Sequence, residues 1–109
     1  MPPEWRRDMT RAGIILYGLD PSEDAHFPEL QPALSLHCIV TFVKELQPGQ
    51  CVSYGRTFTA DHPMRVATVC VGYADGYPRA LSGGQGQGVM SIHGRPAPVV
   101  GRVCMDQTL

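Results

Sequence analysis

The sequence has no C-x-x-C pair, no H-x-x-x-H or H-E-x-x-H grouping, and no excess of charge of either sign. Its four cysteines, Cys38, Cys51, Cys70 and Cys104, and its four histidines, His26, His37, His62 and His93, are scattered along the chain, so no zinc site is expected. Nine Lys plus Arg against ten Asp plus Glu leave 109 residues with a net charge of −1, which argues against the basic face that a nucleic-acid partner needs. No apolar run approaches the roughly 20 residues required to cross a bilayer. No charged-then-apolar leader with a small-residue cleavage site opens the chain, and a cytoplasmic protein with reduced thiols is expected. Repeats and heptads are lacking as well. The glycines between Ser82 and Gly88 do not spell G-x-G-x-x-G and have no strand-to-helix context, so they read as a flexible loop and not as a dinucleotide site.

A chain of this length has room for one modest core, burying about two thirds of its unfolded surface. A complete (β/α)₈ barrel, at roughly 250 residues, does not fit. Gly13 to Leu16 is a short apolar run bounded by Gly18, the pattern of a buried parallel strand. Asp20 to Pro32 carries three prolines and reads as a connection and a domain boundary. Beyond it, Leu34, Leu36, Cys38, Val40 and Phe42 alternate with Ser35, His37 and Thr41, which predicts a half-buried strand. Pro48-Gly49 supplies the φ of about −65° and the positive φ of a type II turn, predicting a hairpin with Cys51 to Phe58. Met64 to Val71 predicts a third strand, buried on both faces and ended by a corner at Tyr73. Val89 to His93, a turn at Gly94-Arg95-Pro96, and Pro98 to Met105 supply the last two strands. Cys38 and Cys70 lie in apolar runs, where a free thiol behaves as a small core hydrophobe.

Four stretches stand out as a set: Arg11 to Ser22 (RAGIILYGLDPS), Val52 to Phe58 (VSYGRTF), Val71 to Arg79 (VGYADGYPR) and Val99 to Gln107 (VVGRVCMDQ). In this order and spacing they resemble the alanine racemases, pyridoxal-phosphate enzymes that interconvert L- and D-alanine. The resemblance runs roughly from residue 8 to 108. It implies a mainly β fold: a partial C-terminal β-barrel-like domain over residues 31–109, incomplete at its end. Residues 1–30 are then a remnant of an N-terminal pyridoxal-phosphate-binding barrel, with its last strand and the connection.

Racemising an amino acid needs two bases on opposite faces of the α-carbon, one to remove the proton and one to return it. By the resemblance Tyr73 is one base, and a lysine that also holds pyridoxal 5′-phosphate as a Schiff base is the other. A phenol, titrating near pH 10 when unperturbed, needs positive charge or donors close by to serve at about pH 7; Arg79 and Arg102 are the candidates in sequence. Met105 matches a position whose backbone N–H meets the substrate carboxylate, and Cys104 and Asp106 flank it. Arg11 matches an arginine set against the pyridine nitrogen, a group that can only donate. Gly13 and Ile14 match backbone donors to the cofactor phosphate. The resemblance further implies a homodimer with shared sites, in which Arg11, Gly13 and Ile14 face their own cofactor while Tyr73 and Met105 reach into the partner's site. D-alanine for peptidoglycan is the expected product. The Schiff-base lysine is expected before Met1, a phosphate-holding tyrosine beyond Leu109, and Lys44, the sole lysine, lacks the family's lysine motif. Two alternatives stay open: a serine racemase domain of related type, whose parent carries a membrane segment, and a stand-alone β-barrel binding module without chemistry. The module reading would leave Trp5 and Ile14 to Leu16 as an exposed apolar tail, which soluble modules avoid.

Overall fold

The computed structural model describes residues 3–5, 7–24, 27–83 and 87–109; His26 and the centre of the glycine-rich loop, Gly84 to Gly86, lie outside the described residues. The chain separates into two compact units, Met1–His37 and Cys38–Leu109. The first contains two 3₁₀ helices, Pro3–Trp5 and Gly13–Tyr17. The second carries the strands.

The expected strand at Gly13 to Leu16 is a 3₁₀ helix with no buried residue. A parallel strand needs neighbours to complete its hydrogen-bond ladder. Here the chain closes a local bond instead, between Gly18 N–H and Ile15 O at 3.0 Å, with Gly18 in the left-handed region at φ 75°. The segment is then tied to the returning chain by Ala33 N–H, which donates to Tyr17 O at 3.0 Å.

In the second unit the described residues form six strands: β1 (Val40–Leu46), β2 (Cys51–Val52), β3 (Phe58–Thr59), β4 (Met64–Val69), β5 (Val89–Ile92) and β6 (Arg95–Pro98). They pair antiparallel as three ribbons, β1 with β4, β2 with β3, and β5 with β6. The turn at Pro48-Gly49 is present, with Gly49 at φ 85° and Gln50 N–H donating to Gln47 O at 3.0 Å. The hairpin expected across it is not. β1 takes β4 as its partner, in a register that sets Lys44 opposite Val66 and Leu46 opposite Met64. The β-branched run of β4 offers β1 a long ladder, whereas β2 and β3 match each other over two residues each. β5 and β6 are joined by His93 (φ 52°) and Gly94 (φ 75°). Positive φ at both loop residues is the type I′ geometry whose twist suits a two-residue hairpin.

The core is small. Leu46, Val52, Ala60 and Val66 are buried together, with Phe58, Met64, Val100 and Leu109 packed against them. Thr108 is fully buried and donates through Oγ1 to Val71 O at 2.7 Å, while its backbone pairs with Val69 in both directions.

Three further expectations are corrected. Residues 34–39 are not strand, and β1 is exposed along its length except at Leu46, because a two-stranded ribbon leaves its faces uncovered. The strand expected from Pro98 to Met105 ends at Pro98: Gly101 takes φ 69°, and Val99 and Val100 N–H donate to Gly88 O and Leu109 O outside any ladder. Cys38 and Cys70 are exposed, and it is Cys51 and Cys104 that are half-buried. In the native chain Cys38 and Cys70 should therefore react with iodoacetamide ahead of Cys51 and Cys104. Peptide mapping after brief labelling checks the order, and the reverse order would contradict the exposed face.

Candidate functional site

The corner after β4 is built on a close backbone approach. Gly72 is buried, and a Cβ at that position would collide with the carbonyl groups of Cys104 and Met105. With no side chain in the way, Tyr73 N–H donates to Cys104 O at 3.0 Å and Ala74 N–H to Met105 O at 2.9 Å. The VGYADG and VCMDQ stretches are thereby laid side by side. Asp75 closes the corner, its Oδ2 accepting Gly72 N–H at 2.9 Å, and Gly76 ends the Tyr73–Asp75 turn at φ 90°. The Tyr73 ring is 42% exposed, and the Arg79 guanidinium carbon stands 5.8 Å from its centroid, a cation–π distance. The next aromatic, Tyr77, sets its hydroxyl against Gly88; burial, followed by the nearby Cys38 thiol, pushes that phenol above its ordinary value.

A second clamp holds the same segment from another side. Ser53 Oγ donates to Arg102 O at 2.9 Å and accepts Arg102 N–H at 2.8 Å. This brings the VSYGRTF turn onto VVGRVCMDQ and opens a cleft of about 480 Å³ lined by Ser53, Tyr54, Cys104, Met105, Asp106 and Gln107. Tyr54 and Met105 are both well exposed beside it, at 71% and 54%. A larger, mainly apolar cavity of about 510 Å³ lies between β4 and the β5–β6 hairpin and has none of Tyr54, Tyr73 or Met105 in its lining. Its rim carries Asp61 and His62, an exposed adjacent pair 2.5 Å apart in which the His62 hydrogen bond lowers the Asp61 carboxyl below its ordinary range.

The structure therefore brings the segments of two expected site residues together within the second unit, and the other three belong to the first unit. The segments of Tyr73 and Met105 are joined by backbone bonds of Tyr73 to Cys104 and of Ala74 to Met105, but the aromatic side chain that shares the cleft with Met105 is Tyr54. Tyr54 lies within VSYGRTF, a stretch that carries the family resemblance without giving that tyrosine a role. The available signal was a tyrosine between Ser53 and Gly55 at the end of a short β run. Arg11, Gly13 and Ile14 belong to the first unit, with Gly13 (φ 64°) and Ile14 opening the Gly13–Tyr17 helix.

Residues 33–109 match the family model of the alanine racemase C-terminal domain. The chain belongs to that family. It is 48% identical over 103 residues to the alanine racemase of Halothermothrix orenii, covering 94% of this chain and 26% of the relative. To the alanine racemase of Listeria monocytogenes it is 47% identical over 112 residues, covering 100% and 29%. Among solved structures, alanine racemase from Bacillus anthracis with bound L-Ala-P superposes with a TM-score of 0.74 at 43% identity, covering 88% of this chain and 25% of that one. The Bartonella henselae enzyme with covalently bound pyridoxal phosphate gives 0.72 at 33% identity, covering 88% and 26%. The chain thus spans about a quarter of the length of the curated relatives it matches. Tyr54, Tyr73 and Met105 fall inside the stretch matched to the alanine racemase C-terminal domain, and Arg11, Gly13 and Ile14 fall before it.

Gly72→Ala should destabilise this domain by about 3 kcal/mol, because the added methyl meets backbone on both carbonyls and neither can rotate away. Urea denaturation of the chain checks it; a loss below about 0.5 kcal/mol, the size of an ordinary surface change, would show that the approach is not tight.

Proposed function

We propose that this chain is the C-terminal-domain part of a longer racemase that interconverts L- and D-alanine with pyridoxal 5′-phosphate, supplying D-alanine for peptidoglycan from the cytoplasm. The observation that carries the reading is the cleft in which the Tyr54 phenol and the Met105 segment stand together. Racemisation needs a base on each face of the α-carbon, and a phenol held at the rim of a small cleft, next to a backbone that can bind a carboxylate, supplies one of them. Met105 fits the second task because its chain path is fixed from two sides, by Ala74 N–H and by the Ser53–Arg102 clamp. The names of the relatives, and the L-Ala-P and pyridoxal phosphate in two of the solved structures, support the substrate and cofactor.

When bound, pyridoxal phosphate supplies the electron withdrawal that acidifies the α-proton. In this chain Arg11 would face its ring nitrogen, and Gly13 and Ile14 would donate backbone N–H to its phosphate. Their setting fits: Gly13 is in the left-handed region, nothing lies within 4 Å of where its Cβ would be, and the first N–H groups of a helix have no intrahelical acceptor. Lys44, on β1 opposite Val66 in the other unit, is not the Schiff-base lysine in this reading; that lysine lies elsewhere in the longer protein. Residues 1–30 are read as the barrel remnant and 31–109 as the β domain. The working unit is a homodimer in which Tyr54 and Met105 serve the partner's cofactor, which accounts for the exposure of both side chains. Among the described residues no helix is long and apolar enough to cross a membrane.

A second reading keeps Tyr73 as the base, favoured by the Arg79 cation over its ring. The two readings separate in the full-length holoenzyme by following α-proton exchange from each enantiomer into deuterium oxide. Tyr54→Phe should remove racemisation in both directions, since each turnover needs both bases, and should slow exchange from one enantiomer by about 10²- to 10⁴-fold while the other persists. Tyr73→Phe should leave exchange from the two enantiomers balanced. If the pattern belongs to Tyr73→Phe instead, the second reading holds; if neither variant changes exchange, or serine turns over faster than alanine, the proposed base or substrate is wrong.

A further inference from the structure

The Ser53–Arg56 turn contains more left-handed backbone than its length explains. Gly55 and Arg56 have φ of 73° and 52°, and Ser53 itself takes φ 68°, ψ 171°. That last combination is a region essentially confined to glycine, and residues held in such conformations cluster where function requires them. Ser53 is nonetheless not glycine. What its side chain adds is a hydroxyl whose hydrogen-bonding capacity is engaged twice by one residue, donating to Arg102 O at 2.9 Å and accepting Arg102 N–H at 2.8 Å, across a sequence separation of 49. The opposing chain is shaped to receive it: Gly101, at φ 69°, has no Cβ, and one placed there would strike the Ser53 Cβ. Tyr54 follows immediately, and Met105 lies three residues beyond Arg102, on the same cleft.

We propose that Ser53 is a positioning residue for the racemase reaction: its hydroxyl fastens the Tyr54 turn to Arg102 and thereby sets where the Tyr54 phenol stands relative to a substrate bound at Met105. The inference rests on Tyr54 being the base. The hydroxyl hydrogen and one lone pair of Ser53 are committed to Arg102, so on the cleft that it also lines its part is to hold the turn. Glycine at this position adopts the same φ and ψ without strain and lacks only the fastening, so Ser53→Gly separates the position of Tyr54 from the stability of the fold.

The test is made in the full-length holoenzyme with Ser53→Gly and Ser53→Ala beside Tyr54→Phe, measuring α-proton exchange from each enantiomer, KM and the thermal midpoint. Ser53→Gly is expected to keep its thermal midpoint and, at saturating substrate, to lower exchange from the enantiomer that depends on Tyr54 by about tenfold or more, as a misplacement of the order of 1 Å can cost; KM rises alike for both enantiomers, because the same clamp holds the Met105 segment. Exchange from the mirror enantiomer should stay within about twofold, since its base is not held by this turn. Ser53→Ala should show the same asymmetry with a lowered midpoint, because it retains the strained backbone without the hydroxyl. Unchanged exchange in both Ser53 variants, with Tyr54→Phe strongly asymmetric, overturns the positioning role and leaves the Tyr54 reading intact. Equal losses from both enantiomers reduce Ser53 to a structural residue and overturn it too. Symmetric or absent effects of Tyr54→Phe sink the underlying reading itself.

Discussion

The missing side chain of Gly72 is the constraint on which the site depends. Because only hydrogen occupies that position, the backbone after β4 can lie against the carbonyls of Cys104 and Met105, and the N–H groups of Tyr73 and Ala74 find their acceptors there. A methyl group would separate the two motifs and leave those polar groups to be satisfied elsewhere. The Met105 segment, which has no ladder of its own, owes its path to this approach on one side and to the Ser53–Arg102 clamp on the other.

The two clamps differ in kind. Gly72 works by removing bulk, and Ser53 by adding a hydroxyl in a conformation that would suit glycine better. Both act on the stretch from Gly101 to Met105, so the side chains that border the cleft are supplied by turns while their placement is set by backbone contacts between distant parts of the sequence. A functional side chain on a turn is accurate only when the turn itself is fixed. The small core of Leu46, Val52, Ala60 and Val66 stabilises the ribbons that carry these turns, and Thr108 ties the end of the chain to Val69 and Val71. Apolar groups remain in solvent, Phe42 and Val43 on β1 among them, and the proposed longer protein is where they would be covered.

Much of the local structure was legible in the residues. Pro48-Gly49 turned as expected, a strand begins at Met64, and Val89 to Ile92 formed one arm of a hairpin, because each depends on backbone preferences within a few residues. The alternation from Leu34 to Phe42 misled, since period two reports a strand with one covered face and here β1 starts later and its faces are open. The apolar run at Gly13 misled for a related reason: strand and short helix look alike over five residues, and Gly18 with its bond to Ile15 settled it locally. At the site, the motif blocks were recognisable, whereas the placement of Tyr54 in the cleft beside Met105, with Tyr73 at the corner after β4, was not.

By itself the sequence carried the resemblance to the family, and through residue types and short spacings it determined the turns and the near-neutral, strand-rich character. Only the tertiary structure decided that β1 pairs with β4 and not across its own turn, that Cys38 and Cys70 face outward, and that Tyr54 is the phenol beside Met105. The physical reason is the same in each case. Those outcomes are set by which surfaces remain to be covered and by hydrogen bonds such as Ser53 to Arg102, which join residues 49 positions apart and leave no mark in the pattern of either segment.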